Sequence, residues 1–356
     1  MQLAVIAITE NGLQIARKIK DELESEVEIY ISETLSTKIS DLKGLRVYPG
    51  RLKDFVADIF NDYDGIIFIM ALGIVVRVVA DFLEDKRFDP AVITIDETGD
   101  FVISTLSGHL GGANELSIEL ADSLDAEPVI TTATDRQGKL AMDMLAKRLN
   151  SKIEPFNNLK KINAAIVNGD QVNVFSDYEL DLDLSDDKIT LYSLDDLNKV
   201  LAAATVIISN QKIELPAEID DNYPYLYLRP LNLVVGIGCR RGIDKERIAI
   251  AVKEGLKRID RDLSQVKSLA TIDLKSDEKG LIEYAQDKEL ELNIISRNQV
   301  KESDLEFTTS EFVKKAIGVG GVCEPVALLS GKKMELLLRK MKLQGVTVAI
   351  AEERSM

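Results

Sequence analysis

Short apolar runs alternate with amphipathic helical stretches through the first third of this chain, and no other feature constrains its fold as strongly. Runs at 3–8, 27–31, 65–70, 91–95, 101–105 and 128–131 have the length and branched content of strands. Helical spacing fills most of the gaps, at 12–23, 52–60, 73–83 and in the stretch after residue 109. Strands separated by helices pair in parallel, because a helix-length crossover returns the next strand in the same direction. The expected architecture is therefore multidomain α/β, with sheets flanked by helices. The pattern weakens over 151–229, where 177–187 is densely acidic, 206–208 reads as a strand and Tyr223-Pro224-Tyr225 precedes a fresh strand signal. It restarts at Leu233, with helical spacing at 244–259 and 278–286 and strands at 268–272, 292–295 and 346–351. A glycine turn at 318–321 leads into a helix with Pro325 in its first turn. A chain of 356 residues exceeds what one ordinary core organises. Three parts are expected: an N-terminal α/β domain over 1–135, a smaller middle module over 136–229 and a C-terminal α/β domain over 230–356.

Hydrophobic residues make up 46% and charged residues 29%, the balance of a soluble globular protein. No run is long enough to span a membrane, and the opening MQLAVIAITENG lacks the basic region and cleavage site of a secretion signal, so the cytoplasm is the expected compartment. Two cysteines, Cys239 and Cys323, and one histidine cannot by themselves assemble a conventional structural zinc site. The formal net charge of -16 argues against nucleic acid or an anionic membrane as the main partner. An anionic ligand would need local donors, for which the glycine-loop N–H groups, Arg77, Lys86, Arg87, Arg240 and Arg241 are the candidates.

The single histidine, His109, lies in SGHLGGANE, between a strand-like run and a helical one. A helix starting just after it directs free N–H groups and a positive dipole end toward the loop, a setting for a carboxylate or a developing oxyanion. Imidazole also titrates near neutrality, so His109 can exchange a proton there. The simpler alternative is a turn into a helix whose histidine hydrogen-bonds the backbone. In parallel sheets the loops leaving the carboxyl ends of strands gather at one rim. That rim is expected to collect 71–73 with Arg77 one turn on, 107–114, and 131–135 with Thr132 and Asp135, although threonine and aspartate before a helix also serve simply as caps. Further along, Gly236-Ile-Gly238-Cys-Arg-Arg-Gly242 nearly matches the dinucleotide fingerprint, but Arg241 occupies the third glycine position, which argues against dinucleotide binding.

Taken together, ALGIVVRVVA, SGHLGGANE within a longer matching stretch, PVITTATD, VVGIGCRRGI, LATIDLKSDEKGLIEYA and GVGGVCEPVALL, in that order, resemble the cobalt-precorrin-5A hydrolases of anaerobic cobalamin biosynthesis, the CbiG proteins. The resemblance implies a hydrolase that opens the lactone of cobalt-precorrin-5A and releases a two-carbon fragment as acetaldehyde. It implies no protein cofactor or metal site, since cobalt arrives in the substrate, and possible handover to other enzymes of the pathway. On that reading His109 is the base, Glu115 its orienting or alternative acid–base partner, and the N–H groups around Gly111 and Gly112 are oxyanion donors. The expected substrate-binding set is Gly73, Arg77, Ser107, Gly108, Gly111, Gly112, Asn114, Thr132, Asp135, Gly238, Arg240, Arg241, Gly320 and Glu324. Cys239 and Cys323, each in a glycine loop, are either small buried thiols or cobalt or covalent contacts. The rival classes are a non-catalytic tetrapyrrole carrier or assembly subunit and a nucleotide-dependent oxidoreductase using the C-terminal glycine loop.

Overall fold

The structure is a computed structural model that describes residues 1–136, 138–181, 188–200, 202–219 and 222–355. The last six residues of the acidic stretch 177–187 therefore lie outside the described residues. The chain forms two compact units, Met1–Met144 and Leu145–Met356.

The first unit is built on a seven-stranded sheet. Its strands are β1 (Gln2–Ala7), β2 (Glu26–Ser32), β3 (Leu45–Tyr48), β4 (Gly65–Ile69), β5 (Ala91–Ile95), β6 (Phe101–Leu106) and β7 (Glu127–Val129), in the spatial order β3-β2-β1-β4-β5-β6-β7. Successive side chains of a strand point to opposite faces, and here both faces are covered. Leu3, Val5, Ile67 and Ile69 pack on Leu13, Ala16, Leu116 and Leu120 of the helices Glu10–Glu22 and Ala113–Leu124. Ile6, Ile66 and Phe68 pack on Val56, Phe60, Val75 and Val79 on the other side. Each fully buried side chain of this size contributes about 1.5–3 kcal/mol, so a charge in place of Ile67 would disrupt the sheet. The helix Glu10–Glu22 begins where the Thr9 hydroxyl accepts the Gly12 N–H at 3.0 Å, and it buries Leu13, Ala16 and Ile19 at helical spacing.

β1 to β5 run parallel, but β6 is antiparallel to β5, and β7 then runs parallel to β6. The last two strands thus point the other way. The cause is local: the link from Ile95 to Phe101 is too short for a crossover helix. Asp96 closes that link by accepting the Thr98 N–H at 3.1 Å and the Phe101 N–H at 2.7 Å, with Gly99 at φ 77°.

The second unit holds two five-stranded sheets. One contains β8 (Ser151–Glu154), β9 (Val172–Ser176), β10 (Ile189–Ser193), β11 (Ala204–Ile208) and β12 (Tyr225–Pro230) in the order β10-β9-β11-β12-β8, with only β8 antiparallel to its neighbour. The other contains β13 (Leu233–Cys239), β14 (Val266–Ile272), β15 (Glu291–Ile295), β16 (Met334–Leu343) and β17 (Val346–Glu353) in the order β15-β14-β13-β17-β16. The helices Lys245–Arg258 and Lys279–Asp287 pack on one face of that sheet, and the short helix Cys323–Leu328 supplies Val326 to the other. β16 has no counterpart among the expected strands. Its sequence MELLLRKMKL has helical composition, and what makes it a strand is the tight turn Gln344-Gly345, with φ of 48° and 88°, that folds it onto β17.

Candidate active site

The loop 107–112 leaves β6 and turns directly into the helix Ala113–Leu124. Ser107 itself is left-handed at φ 57°, and Gly112 holds φ 83° at the start of the helix, a conformation that costs glycine nothing. A methyl group on Gly111 would sit 2.4 Å from Cβ of Ser107, so the turn closes this tightly only on glycine. Folding back also uses up donors. Gly112 N–H bonds to the His109 carbonyl at 3.0 Å, Ala113 N–H to Ser107 at 3.1 Å and Asn114 N–H to Gly108 at 3.0 Å. Gly112 is therefore not an available oxyanion donor, contrary to the sequence reading, whereas the Gly111 N–H has no partner among the described residues.

The turn delivers the His109 ring to a buried acid. Nδ1 lies 3.1 Å from the carboxylate of Asp143, and Nε2 lies 3.3 Å from the Thr134 hydroxyl. The side chains of His109 and Asp143 are 10% and 3% exposed, so this pair is screened from bulk water yet not sealed. A carboxylate can only accept, which assigns the proton to Nδ1 and leaves Nε2 as the basic nitrogen. Lys86 lies 3.7 Å from the same carboxylate and adds a cation to the group. Asn114 ties the surroundings together: its Oδ1 accepts from Ser104 at 2.6 Å and its amide donates to Thr132 at 2.9 Å. The hydroxyl oxygen of Ser107 is buried without a hydrogen-bond partner among the described residues. A base oriented by a carboxylate and flanked by a hydroxyl is suited to activating water.

Of the residues singled out from sequence, the fold brings together Ser107, Gly108, His109, Gly111, Gly112, Asn114 and Thr132. Asp135 lies on the short helix Ala133–Arg136, but its side chain is outside the described residues. Glu115 is exposed on the first turn of its helix, and the carboxylate at the histidine is that of Asp143. Sequence reasoning missed Asp143, and it included Thr134 in the loop 131–135 without giving it a role. The available signal was an acid inside the apolar stretch LAMDML, where Ala141, Met142 and Leu145 are all buried.

Gly73 and Arg77 fall elsewhere. They follow β4, whereas the His109 loop follows the reversed strand β6, whose Leu106 pairs with Val92 at the start of β5. The expected gathering of three loops at one rim therefore fails, and 71–73 lies at the opposite rim. Arg77 there donates to the Gly73 carbonyl at 3.0 Å.

In the second unit, Arg240 and Arg241 line a cavity of about 550 Å³ with Arg247, Gln344 and Gly345. Arg241 is engaged by Asp277 at 2.7 Å, while the Arg240 side chain has no partner among the described residues. Gly238 lies in β13, and its Cβ would meet the Thr347 hydroxyl at 2.7 Å. Gly320 accepts the Ser310 N–H through its carbonyl. Glu324 is turned inward, accepting from the Thr308 hydroxyl at 3.0 Å and the Lys340 N–H at 2.7 Å. Where a nucleotide phosphate would approach the C-terminal glycine turn, the Gly242 N–H is bound at 2.7 Å by the buried carboxylate of Glu278, an acceptor that repels phosphate. Burial pushes the thiols of Cys239 and Cys323 up to about 11, so both are protonated near neutrality, which disfavours covalent or thiolate roles. Among the described residues no group of three or more His, Cys, Asp or Glu is placed to hold a metal ion, and no helix is long and apolar enough to cross a membrane.

Fold and site together define a multidomain α/β protein equipped for acid–base chemistry. Family profiles described as Cobalamin synthesis G N-terminal, Cobalamin biosynthesis central region and Cobalamin synthesis G C-terminus match residues 54–135, 140–230 and 233–351. The chain is 34% identical to a protein of Salmonella typhimurium named cobalt-precorrin-5A hydrolase, over 98% of this chain and 97% of that one. A protein of the same name from Priestia megaterium is 32% identical over 98% of this chain and 94% of its own length. A solved structure of cobalamin biosynthesis protein chiG from Agrobacterium tumefaciens is 32% identical over 34% of this chain and 98% of that one, with a TM-score of 0.28. The chain belongs to the CbiG family of cobalamin synthesis proteins.

Proposed function

We infer that the chain is a cobalt-precorrin-5A hydrolase and that His109 is its base. The observation carrying the assignment of the base is the ring of His109 held between Asp143 and Thr134, with Nε2 left as acceptor. Full-length similarity to hydrolases of that name supports the reaction. Nε2 takes a proton from water as its oxygen attacks the lactone carbonyl. The lactone C–O bond then breaks, and the departing oxygen is protonated to a hydroxyl on the carbon that ring contraction has extruded. Removal of that hydroxyl proton lets the bond between the extruded carbon and the ring break. The oxygen becomes the carbonyl of acetaldehyde, and the electron pair passes into the macrocycle. Asp143 stabilises the imidazolium formed in the first step, and the Gly111 N–H is the candidate donor for the tetrahedral oxyanion. No protein cofactor enters this scheme, because cobalt belongs to the substrate. The reaction is assigned to the cytoplasm, with handover to neighbouring enzymes.

Anaerobic incubation with cobalt-precorrin-5A, following acetaldehyde and corrinoid mass, tests the reading. Release by the wild type and its loss in His109→Ala are the expected results. Equal release by both would move the base elsewhere, and binding without release would make the protein a carrier.

A further inference from the structure

A second cavity, of about 530 Å³, opens beside the helix Lys245–Arg258 and shares no residue with the arginine-lined one. Its floor is the edge of the C-terminal core, with Val252, Leu256 and Tyr284 all buried and Leu263 half-buried. Above this floor the polar groups are unevenly matched. Asp260 is paired with Lys212 at 3.0 Å, and Asp262 caps a turn by accepting the Ser264 N–H at 2.8 Å. Lys253, Lys257 and Lys288 on the rim have no ion pair among the described residues. Nε of Arg261 is buried and has no hydrogen-bond acceptor among the described residues. The Tyr284 hydroxyl has none either, and desolvation alone raises its pKa, to about 12.

A buried guanidinium N–H without an acceptor is costly, and because this atom is hidden from solvent, a ligand oxygen meets it only as the Arg261 side chain turns toward the cavity. In a chain of net charge -16, a concentration of unpaired cations around an apolar floor selects an anion with an apolar body. We propose that this cavity binds one edge of a polycarboxylated tetrapyrrole, with pyrrole rings on the floor and acetate or propionate groups on Arg261 and the rim lysines. Both carboxylates of the lining, Asp260 and Asp262, are already engaged, by Lys212 and the Ser264 N–H, which fits a holding or handover station more closely than a reaction chamber. Only the choice of a tetrapyrrole rests on the hydrolase reading.

The test uses the full chain and coproporphyrin III, a tetracarboxylate, followed by fluorescence quenching and hydrogen exchange. Protection of residues 249–263 and 281–288 is the expected result. Lys253→Glu with Lys257→Glu should weaken that protection and the associated affinity about tenfold or more. Ala249→Trp, which fills the opening, should abolish the protection, and the charge reversal on the exposed helix surface stands alone if the filled variant fails to fold. No protection at these residues, or unchanged affinity in the charge reversal, overturns the proposal. Protection by decanoate but not by the porphyrin also overturns it, leaving a site for single-chain carboxylates. Acetaldehyde release by the wild type decides the hydrolase reading separately, so an active enzyme with an unprotected cavity defeats only this inference.

Discussion

The glycine turns SGHLGGANE and GIGCRRGI look alike in sequence and serve opposite ends. In the first, Gly111 and Gly112 let the chain fold back on Ser107 and present the His109 ring to Asp143 and Thr134. In the second, Gly236 clears the way for neighbouring backbone, Gly238 for the Thr347 hydroxyl, and Gly242 turns the chain at φ 73°. A Cβ on Gly236 would lie 1.9 Å from the carbonyl oxygen of Cys323, and the Gly242 N–H is taken by Glu278. Glycine in such a motif reports close backbone approach. Whether the turn carries chemistry depends on what else it delivers, and only the first delivers a titratable ring with an oriented partner.

The contrast can be broken first at the histidine. His109→Ala should lower kcat for acetaldehyde release by about 10²–10⁴-fold while leaving the fold intact, and a smaller loss would make the first turn as structural as the second. Asp143→Asn should cost about a hundredfold or more, because a neutral amide no longer stabilises the imidazolium and its NH2 can turn to Nδ1 and reverse the tautomer. Glu115→Gln measured beside it should change little, and the reverse ranking would restore the partner expected from sequence. On the other side of the comparison, Gly236→Ala should destabilise the second unit by about 3 kcal/mol in urea unfolding, because the clashing neighbour is backbone. Native stability in that variant would remove the packing explanation of the C-terminal turn.

Glu324 sharpens the same point through pH. Burial pushes its carboxyl up, but hydrogen bonds from the Lys340 and Thr308 N–H groups and the Thr308 hydroxyl outweigh this and hold it below the ordinary carboxylate value. Its contribution to stability is thus full above the unfolded-state value and is lost as pH falls through the folded one. The gap in Tm between wild type and Glu324→Gln should be widest above about pH 5 and close toward acid. A gap independent of pH would mean that the carboxylate is not what those donors hold. The smallest effect is expected at Arg240, where Arg240→Ala should raise KM several-fold with kcat unchanged.

Much of this architecture was legible because apolar runs such as 3–8, 65–70 and 91–95 alternate with helical spacing, and that periodicity survives into the fold. The reversal at β6 was also written in the sequence, since the DETGD link is too short for a crossover, but reading strands one at a time hid it. β16 was not legible, because the leucines, lysines and methionines of 334–343 suit a helix and only pairing with β17 makes them a strand. The same distinction runs through the site. His109 stood out as a rare residue in a glycine turn, whereas Asp143 became a partner only through a contact spanning 34 positions. One acid among 60 carries no local mark of that role.

The reversal of β6 also provides an experimental convenience. The chain contains no tryptophan, and Leu72, exposed just beyond β4, lies about a strand's length, roughly 17 Å, from the histidine loop. A tryptophan placed there would be the molecule's sole indole emitter, reporting on the sheet from its far rim while leaving His109 and Asp143 untouched.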